Sequence, residues 1–244
     1  MTGRAKTEPA EEAGRVAGAS PRAADDDGRR RSAAVRIAIL DYGMGNLRSA
    51  EKAFEHVGVN APITREHDVV RAADGVVLPG VGAFPKAMAA VRELGLDMLL
   101  WERRDAGVPI LGLCLGMQLL YEGSDEHGGA EGIGLLPGRI EALDAPGLKV
   151  PHIGWNAVSW RRASDIAAGL SDPCAFYHVH SYAKRDVDGD EVVGVASYGS
   201  EFASVVAAGD VYGTQFHPEK SGPDGLALLR NFAARCRAGV RAAA

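Results

Sequence analysis

Residues 109–118 read PILGLCLGMQ, and this stretch decides the fold. An apolar run at residues 108–113 leads into the pattern Gly-x-Cys-x-Gly centred on Cys114, and a helical pattern follows at residues 117–121. Strand, glycine turn and helix in this order form the elbow that presents a nucleophile at a sharp corner, here with Cys in place of Ser. The flanking glycines remove bulk so that a substrate can approach, and N–H groups at a helix start favour thiolate over thiol. Cys114 is therefore the predicted nucleophile.

The sequence on both sides of this elbow alternates short apolar runs with helical patterns. Strand patterns lie at residues 37–40, 75–78 and 211–216, and helical patterns lie at 46–57, 84–94, 96–104 and 224–237. Such alternation predicts a parallel sheet with helices on both faces. Between residues 139 and 207 several strand patterns follow one another with only turn residues between them, which predicts an antiparallel flank. We expect an α/β fold: one three-layer, flavodoxin-like domain over residues 35–240, with a central mostly parallel sheet.

Composition and charge exclude several classes of protein. The formal net charge of −5 leaves no excess of Lys and Arg to neutralise phosphates, so nucleic acid is not expected as a partner. Three widely spaced cysteines indicate a reducing compartment rather than a disulfide framework. Apolar runs fall far short of the roughly 18 residues of a membrane span, and we expect a cytoplasmic protein. Residues 1–34 lack aromatic residues and are predicted to be a disordered tail.

A second motif supplies a base and a group to orient it. Residues 213–220 read GTQFHPEK at the end of the last predicted strand. Side chains two positions apart in a strand point the same way, so the carboxylate of Glu219 is expected to orient the imidazole of His217. Nucleophile, base and orienting group are the three parts that covalent acyl chemistry requires. Residues 78–84, LPGVGAF, follow a buried strand and could offer further N–H groups to an oxyanion beside that of Leu115.

Metal and cofactor sites are not expected. His152, His178 and His180 suggest a metal site at first sight, but no carboxylate or Cys stands at ligand spacing from them. The glycines after the first strand could begin a dinucleotide fingerprint, but Arg48 occupies the position of its third glycine. We therefore expect neither a metal nor a cofactor.

Taken together, these motifs resemble those of the class I glutamine amidotransferases, in which Gly-x-Cys-x-Gly and His-Pro-Glu carry a glutaminase triad. The resemblance covers nearly all of residues 36–236 and is closest to the glutaminase subunits of imidazole glycerol phosphate synthases. Besides the elbow, the motifs that carry this closer resemblance are residues 41–47 (DYGMGNL), 79–84 (PGVGAF), 151–156 (PHIGWN) and 178–182 (HVHSY). His178 stands where an aromatic residue is more usual, and residues 1–34 have no counterpart in the family's core.

The resemblance implies a reaction and a partner. It implies that the chain hydrolyses L-glutamine to glutamate and ammonia, and that a (β/α)8-barrel cyclase subunit uses the ammonia in histidine biosynthesis. It also implies roles for individual residues: Cys114, His217 and Glu219 as the triad, Gly82 and Leu115 as oxyanion donors, Gly80, Gly116, Gln118, Ser181 and Tyr182 around the glutamine, and Asn46, Trp155, Tyr177 and Lys220 toward the cyclase. Residues 80–81 would rearrange before the oxyanion hole is complete.

Two other functions remain open at the level of sequence. One keeps the chemistry but changes the partner, as in the glutaminase of pyridoxal phosphate synthesis or another amidotransferase. The other is a catalytically silent subunit that keeps the fold and binds a partner without turnover. The PGVG and PHIGW stretches favour the synthase subunit over the first alternative, and an intact triad argues against the second.

Overall fold

The structure is a computed structural model that describes residues 35–242. The tail predicted for residues 1–34 lies outside the described residues. The helices are α1 (Leu47–His56), α2 (His67–Arg71), α3 (Phe84–Glu93), α4 (Leu96–Asp105), α5 (Leu115–Leu119) and α6 (Gly222–Ala242). The strands are β1 (Ile37–Leu40), β2 (Ile63–Thr64), β3 (Gly75–Gly80), β4 (Ile110–Cys114), β5 (Tyr121–Ser124), β6 (Ala130–Glu131), β7 (Leu136–Ala142), β8 (His152–Trp160), β9 (Cys174–His180), β10 (Tyr182–Ala183), β11 (Val192–Tyr198), β12 (Ser200–Ala208) and β13 (Val211–Thr214).

A nine-stranded sheet in the order β2-β1-β3-β4-β13-β12-β11-β8-β9 forms the centre of the fold. Its first five strands are parallel, and the strands from β13 through β12, β11 and β8 to β9 pair antiparallel. This confirms the expected α/β class, with a parallel centre and an antiparallel flank. A second sheet of four short strands, β10-β7-β5-β6, was not expected from the sequence.

The core lies on both faces of the large sheet. Along β1, Ala38 and Leu40 belong to one cluster of buried residues, whereas Ile37 and Ile39 belong to the other. Successive side chains of a strand point to opposite faces, so an uninterrupted apolar run is required where both faces are covered. Helices α3 and α4 pack with the first cluster, and α1 and α6 pack with the second. The fold therefore has three layers, with the large sheet between two layers of helices.

Strand β4 lies between β3 and β13 and is buried along its whole length. Its last residue, Cys114, is in register with Gly80 at the end of β3, and Leu113 is in register with Thr214 at the end of β13. Parallel strands end at the same edge of a sheet, and in open α/β sheets that edge is where ligands bind. The topology thus brings three sequence motifs to one place.

The predicted helix at residues 117–121 is partly wrong. Helix α5 begins earlier, at Leu115, and ends at Leu119, and Tyr121 is the first residue of strand β5. Backbone carbonyls at the end of α5 accept hydrogen bonds from outside the helix: Leu119 from the N–H of Ile133, and Leu120 from that of Leu136. Pairing with distant segments therefore ends the helix. Among residues 35–242, no helix is long and apolar enough to cross a membrane.

Helix α6 depends on one aromatic anchor. The ring of Phe232 is fully buried and makes edge contacts with Phe54 on α1 and Tyr212 on β13, at centroid distances of 6.5 and 6.1 Å. We expect Phe232→Ala to lower the free energy of unfolding by about 3–5 kcal/mol, because it leaves a cavity between two layers. Arg230→Ala, at an exposed position of the same helix, should change it by less than about 0.5 kcal/mol. Urea unfolding of both variants is the measurement, and equal stability of the two would contradict the role of Phe232 as the anchor of α6.

Candidate active site

The elbow holds Cys114 in an unusual backbone conformation. Its φ is +52° and its ψ is −110°, in the region that residues with a Cβ rarely adopt. A Cβ on Gly112 would lie 2.6 Å from the backbone of Met117, and one on Gly116 would overlap the carbonyl of Leu78. The chain must therefore turn abruptly between β4 and α5, with glycine on each side of the cysteine. Such conformations cost of order 1–3 kcal/mol and persist only where the surrounding packing enforces them.

The base and its partner lie close together for a different reason from the one expected. Strand β13 ends at Thr214, and residues Pro218–Lys220 form a 3₁₀ turn, so His217 and Glu219 are not on a strand. The turn folds the carboxylate back onto the ring, with Glu219 Oε1 2.8 Å from His217 Nδ1. Side chains of both residues are almost completely buried, at 5% and 4% exposure. The expected pair forms, but the expected strand geometry is wrong.

The neighbours of His217 set the pKa of its imidazole. Burial by itself lowers the pKa of this imidazole, but hydrogen bonds and charge interactions with Cys114 and Glu219 outweigh burial and raise the pKa to about 9. A base that is protonated at neutral pH beside a cysteine favours an imidazolium–thiolate pair. The thiolate, rather than the thiol, is the nucleophilic form of cysteine.

A cavity of about 280 Å³ opens in front of the sulfur. Its lining residues come from the ends of β4 and β9, from α5 and β10, from the turns that follow β3, β9 and β13, from the turn between β5 and β6, and from the residue before β8: Val81, Gly82, Cys114, Leu115, Gln118, Glu126, Pro151, Val179, His180, Ser181, Tyr182, His217 and Lys220. The volume suits a small metabolite. All three predicted triad residues are at this place, two of them on the cavity wall.

The two expected oxyanion donors, Gly82 and Leu115, both line the cavity. Gly82 has a φ of +108°, which a residue other than glycine would adopt only with strain. Gly80 and Gly116 do not line the cavity and lie behind it, in the packing between the elbow and β3. There the hydroxyl of Tyr42 donates a hydrogen bond to the carbonyl of Pro79, 2.8 Å away.

Of the five residues expected around a glutamine, three line the cavity. Gln118, Ser181 and Tyr182 line the cavity. The amide nitrogen of Gln118 donates to the carbonyl of Tyr182 at 2.8 Å and to Oε1 of Gln215 at 3.0 Å. Both N–H groups are therefore used within the protein, and only the carbonyl oxygen of Gln118 remains for a ligand.

Glu126 is a cavity residue that sequence reasoning missed. Its side chain is 13% exposed, and its carboxylate accepts a hydrogen bond of 2.7 Å from the N–H of Phe84. This bond aims a negative charge at the cavity from the turn between β5 and β6. Residues 122–131 show no spacing or motif that marks one acidic residue among several, so only the fold could have found it.

The residues expected toward a partner lie on the surface near the cavity. Trp155 is 59% exposed and contacts Tyr177 edge-to-face, with ring centroids 6.2 Å apart. Ile153, on the same face of β8, is 58% exposed. Lys220 is exposed at the cavity mouth, and Asn46 is exposed at the start of α1. An apolar patch of this kind next to a site is typical of a protein–protein contact.

The three histidines noted in the sequence are buried together beside the cavity. His152 stacks on the ring of Tyr198, and His152 and His180 share a hydrogen bond of 3.1 Å between ring nitrogens. Burial lowers the pKa of all three, that of His180 to about 3. In the part of the chain that the structure describes, no group of three or more His, Cys, Asp or Glu residues could hold a metal ion.

The family model of glutamine amidotransferase class-I matches residues 38–236 of this chain. The chain belongs to the class-I glutamine amidotransferase family. The imidazole glycerol phosphate synthase subunit HisH of Bacillus cereus is 48% identical over 196 residues, which cover 80% of this chain and 93% of the relative. The subunit of the same name from Moorella thermoacetica is 46% identical over 196 residues, with the same two coverages.

Solved structures agree on the fold of this amidotransferase. PurLQS from Thermotoga maritima superposes with a TM-score of 0.65 at 20% identity, over 82% of this chain and 98% of that one. The glutaminase domain of CTPS from Trypanosoma brucei gives a TM-score of 0.56 at 19% identity, over 82% of this chain and 94% of that one. At these identities the likeness concerns the fold alone.

The charge pattern of the site predicts distinct titrations for the buried histidines. In an NMR titration of ¹⁵N-histidine-labelled protein, the His217 imidazole should lose its proton near pH 9, whereas His180, with a pKa of about 3, stays neutral throughout. Glu219→Gln should move the titration of His217 to lower pH, because the carboxylate that favours the imidazolium is gone. An unchanged titration in this variant would contradict the contact between the two side chains.

Proposed function

We propose that this chain is the glutaminase subunit of an imidazole glycerol phosphate synthase. It hydrolyses glutamine to glutamate and ammonia, and the ammonia passes to the cyclase subunit. There it yields imidazole glycerol phosphate and aminoimidazole carboxamide ribotide in L-histidine biosynthesis. One observation carries the chemistry: the cysteine of the elbow lines one small cavity together with a buried histidine whose Nδ1 lies 2.8 Å from a carboxylate oxygen.

Acylation comes first in the proposed reaction. The Cys114 thiolate attacks the side-chain carboxamide carbon of glutamine and forms a carbon–sulfur bond, which places a negative charge on the carboxamide oxygen. Leu115 and Gly82 line the cavity, and in this proposal their N–H groups stabilise that charge. The carbon–nitrogen bond then breaks while the His217 imidazolium gives its proton to the leaving nitrogen, which departs as ammonia.

Deacylation returns the enzyme to its starting state. The imidazole of His217, now neutral, takes a proton from a water molecule that attacks the γ-glutamyl thioester. The carbon–sulfur bond breaks, glutamate leaves, and the sulfur departs as thiolate beside the restored imidazolium. Glu219 stabilises this cation twice in each cycle, because its carboxylate contacts the ring nitrogen that faces away from the substrate.

One charged group and one polar group of the cavity wall suit the amino-acid end of glutamine. The carboxylate of Glu126 is fixed by the N–H of Phe84 and can accept hydrogen bonds from an ammonium group. The free carbonyl oxygen of Gln118 is a second acceptor on the same wall. Ser181 and Tyr182 complete the wall. A substrate that carries an ammonium group and a carboxamide fits this distribution.

The partner is proposed to be a (β/α)8-barrel cyclase that docks over the cavity mouth. Ammonia is protonated in bulk water and then no longer reacts as a nucleophile, so a closed contact is needed for its transfer. The exposed apolar side chains of Ile153 and Trp155 lie on β8, where Ile153 pairs with the cavity residue Val179, and Lys220 lines the cavity, so these residues supply a surface of the right kind near the cavity. Docking there would couple the partner's occupancy to turnover in this subunit.

The two alternatives are less well supported. Relatives at 46–48% identity carry the name of the synthase subunit, which favours the cyclase over a different synthase as the partner. A silent subunit would have no use for a strained cysteine beside a buried ion pair, since both features cost stability.

The nucleophile is tested by removal of its sulfur. We expect Cys114→Ala to lower glutamate release at saturating glutamine by at least roughly a thousandfold, because no other group can form the thioester. Glu219→Gln should lower it by a smaller factor, since the imidazole remains. Cys174→Ala is the matched control, because this cysteine is also buried but lies outside the cavity. Glutamate release from Cys114→Ala at the wild-type rate would instead support the silent subunit.

The partner is tested by mixing. We expect slow glutamate release from the isolated chain and a strong increase when a cyclase subunit with its nucleotide ligand is added. Trp155→Ala should weaken the affinity for the cyclase by roughly thirtyfold, as loss of a buried aromatic anchor does, without changing the rate of the isolated chain. Met98→Ala, which removes another exposed apolar side chain away from the cavity, is the control. Equal turnover with and without the cyclase would contradict the coupling.

A further inference from the structure

We propose that the side-chain amide of Gln215 stabilises the thiolate of Cys114 by donating a hydrogen bond to its sulfur. Gln118 and the backbone carbonyl of Tyr182 hold the amide in this orientation, and a buried chain of two neutral histidines ends on the same carbonyl. The role presupposes the nucleophile function proposed above for Cys114. Gln215 would then be a positioning residue for the reaction, acting beside the histidine and not through it.

The amide nitrogen of Gln215 lies within hydrogen-bonding distance of the sulfur. Gln215 Nε2 lies 3.7 Å from the sulfur of Cys114, and the glutamine side chain is completely buried. The carbonyl of Val179 lies at the same distance from the sulfur. A thiol can donate to that carbonyl, whereas a thiolate cannot. The amide nitrogen can only donate, so its bond gains strength when the sulfur is charged.

The orientation of the amide follows from a single backbone carbonyl. The oxygen of Tyr182 can only accept, so the group of Gln118 that faces it at 2.8 Å must be the NH₂. The second hydrogen of that NH₂ points to Gln215 at 3.0 Å, which must therefore present its oxygen. The nitrogen of Gln215 is then left to face the sulfur of Cys114. No other assignment of the two amides satisfies the three contacts.

Two histidines extend the same chain. His180 Nδ1 lies 3.0 Å from the carbonyl of Tyr182 and must donate to it, so its other ring nitrogen accepts. That nitrogen faces His152 Nδ1 at 3.1 Å, which must donate in turn. Asn156 Nδ2 then donates to the remaining nitrogen of His152, at 3.4 Å. Every bond in this series requires neutral rings, and burial lowers the pKa of both imidazoles.

The hydrogen bond from Gln215 matters because few other groups near the sulfur can stabilise its negative charge. His217 lines the same cavity, and its imidazolium interacts with the charge of the cysteine. Tyr42 also interacts with the cysteine: burial together with the charge of the cysteine raises the pKa of that phenol, so it stays neutral. Gln215 adds a fixed donor in a place where water has no access. A fixed dipole of this kind stabilises charge without reorganisation.

The experiment measures how fast iodoacetamide alkylates Cys114 in the full-length chain as a function of pH, by mass spectrometry of the peptide that contains it. Gln215→Met keeps the size of the side chain and removes the donor. We expect the rate near pH 7 to fall roughly tenfold and the half-maximal pH to move upward, because a hydrogen bond to a charged group is lost. Thr214→Val is the matched control, since it removes a different buried bond of the neighbouring position, from Thr214 Oγ1 to Phe216 O. Its alkylation profile should match the wild type.

Two further variants separate positioning from folding. Gln215→Glu keeps an oxygen for Gln118 but replaces the donor at the sulfur with a second oxygen, so alkylation should be slower than in the wild type here too. His152→Phe keeps a ring to stack on Tyr198 and breaks the chain at its far end. It should shift the profile in the same direction by a smaller amount. A wild-type profile in His152→Phe would overturn the part assigned to the histidines.

The outcomes for this role and for the proposed function differ. Wild-type profiles in both Gln215 variants, with a profile that still responds to His217→Ala, would overturn the role of Gln215 and leave the glutaminase intact. Alkylation of Cys114 that responds to neither residue, and no faster than that of an unfolded cysteine, would overturn the proposed function itself. An upward shift in both Gln215 variants and in His217→Ala would support both.

Discussion

The site depends on the close packing of helix α5 against the ends of β3 and β4. Two glycines, Gly112 and Gly116, allow the helix backbone to approach the strands to a distance that a Cβ would not permit. This approach leaves the chain no room for a gradual turn, and Cys114 is held at positive φ as a result. The sulfur therefore projects from a rigid corner rather than a loop, and the order of the strands brings the other two motifs beside it. Catalytic geometry in this fold is a consequence of backbone packing.

Electrostatics then divides the histidines of one small region into two kinds. His217 contacts a carboxylate and a cysteine, and these partners overcome its burial and raise its pKa. Burial lowers the pKa of His152, and burial is also the largest cause of the lowered pKa of His180, to which the charges of His152 and His217 add. The first kind can carry and transfer a proton, whereas the second kind can serve only as fixed hydrogen-bonding groups. All three residues are histidines, and the groups around each one decide whether it can transfer a proton.

The surface around the cavity complements this buried machinery. Trp155 and Ile153 alternate along β8 with His152 and Asn156, which point inward to the hydrogen-bond chain. One strand thus carries an exposed apolar face and a buried polar face. The exposed face suits a partner that closes the cavity, and the buried face supports His180 at the cavity wall.

Sequence by itself determined the elements that rest on local pattern. The elbow around Cys114 and the alternation of strands and helices follow from glycine placement and apolar periodicity, which are properties of neighbouring residues. The sequence also singled out His217 and Glu219, although their contact is made by a 3₁₀ turn and not by the strand that was expected. Only the tertiary structure decided where α5 ends, because carbonyls at its end bond to residues 133 and 136.

Glu126 and Gln215 also became visible only in three dimensions. Neither stands in a spacing that predicts a role, and each acquires one from a hydrogen bond across at least 42 residues of sequence. The physical reason is the same in both cases. A local pattern records what a residue does for its own helix or strand, whereas the charge or donor that it offers to a site depends on which distant backbone the packed layers bring against it.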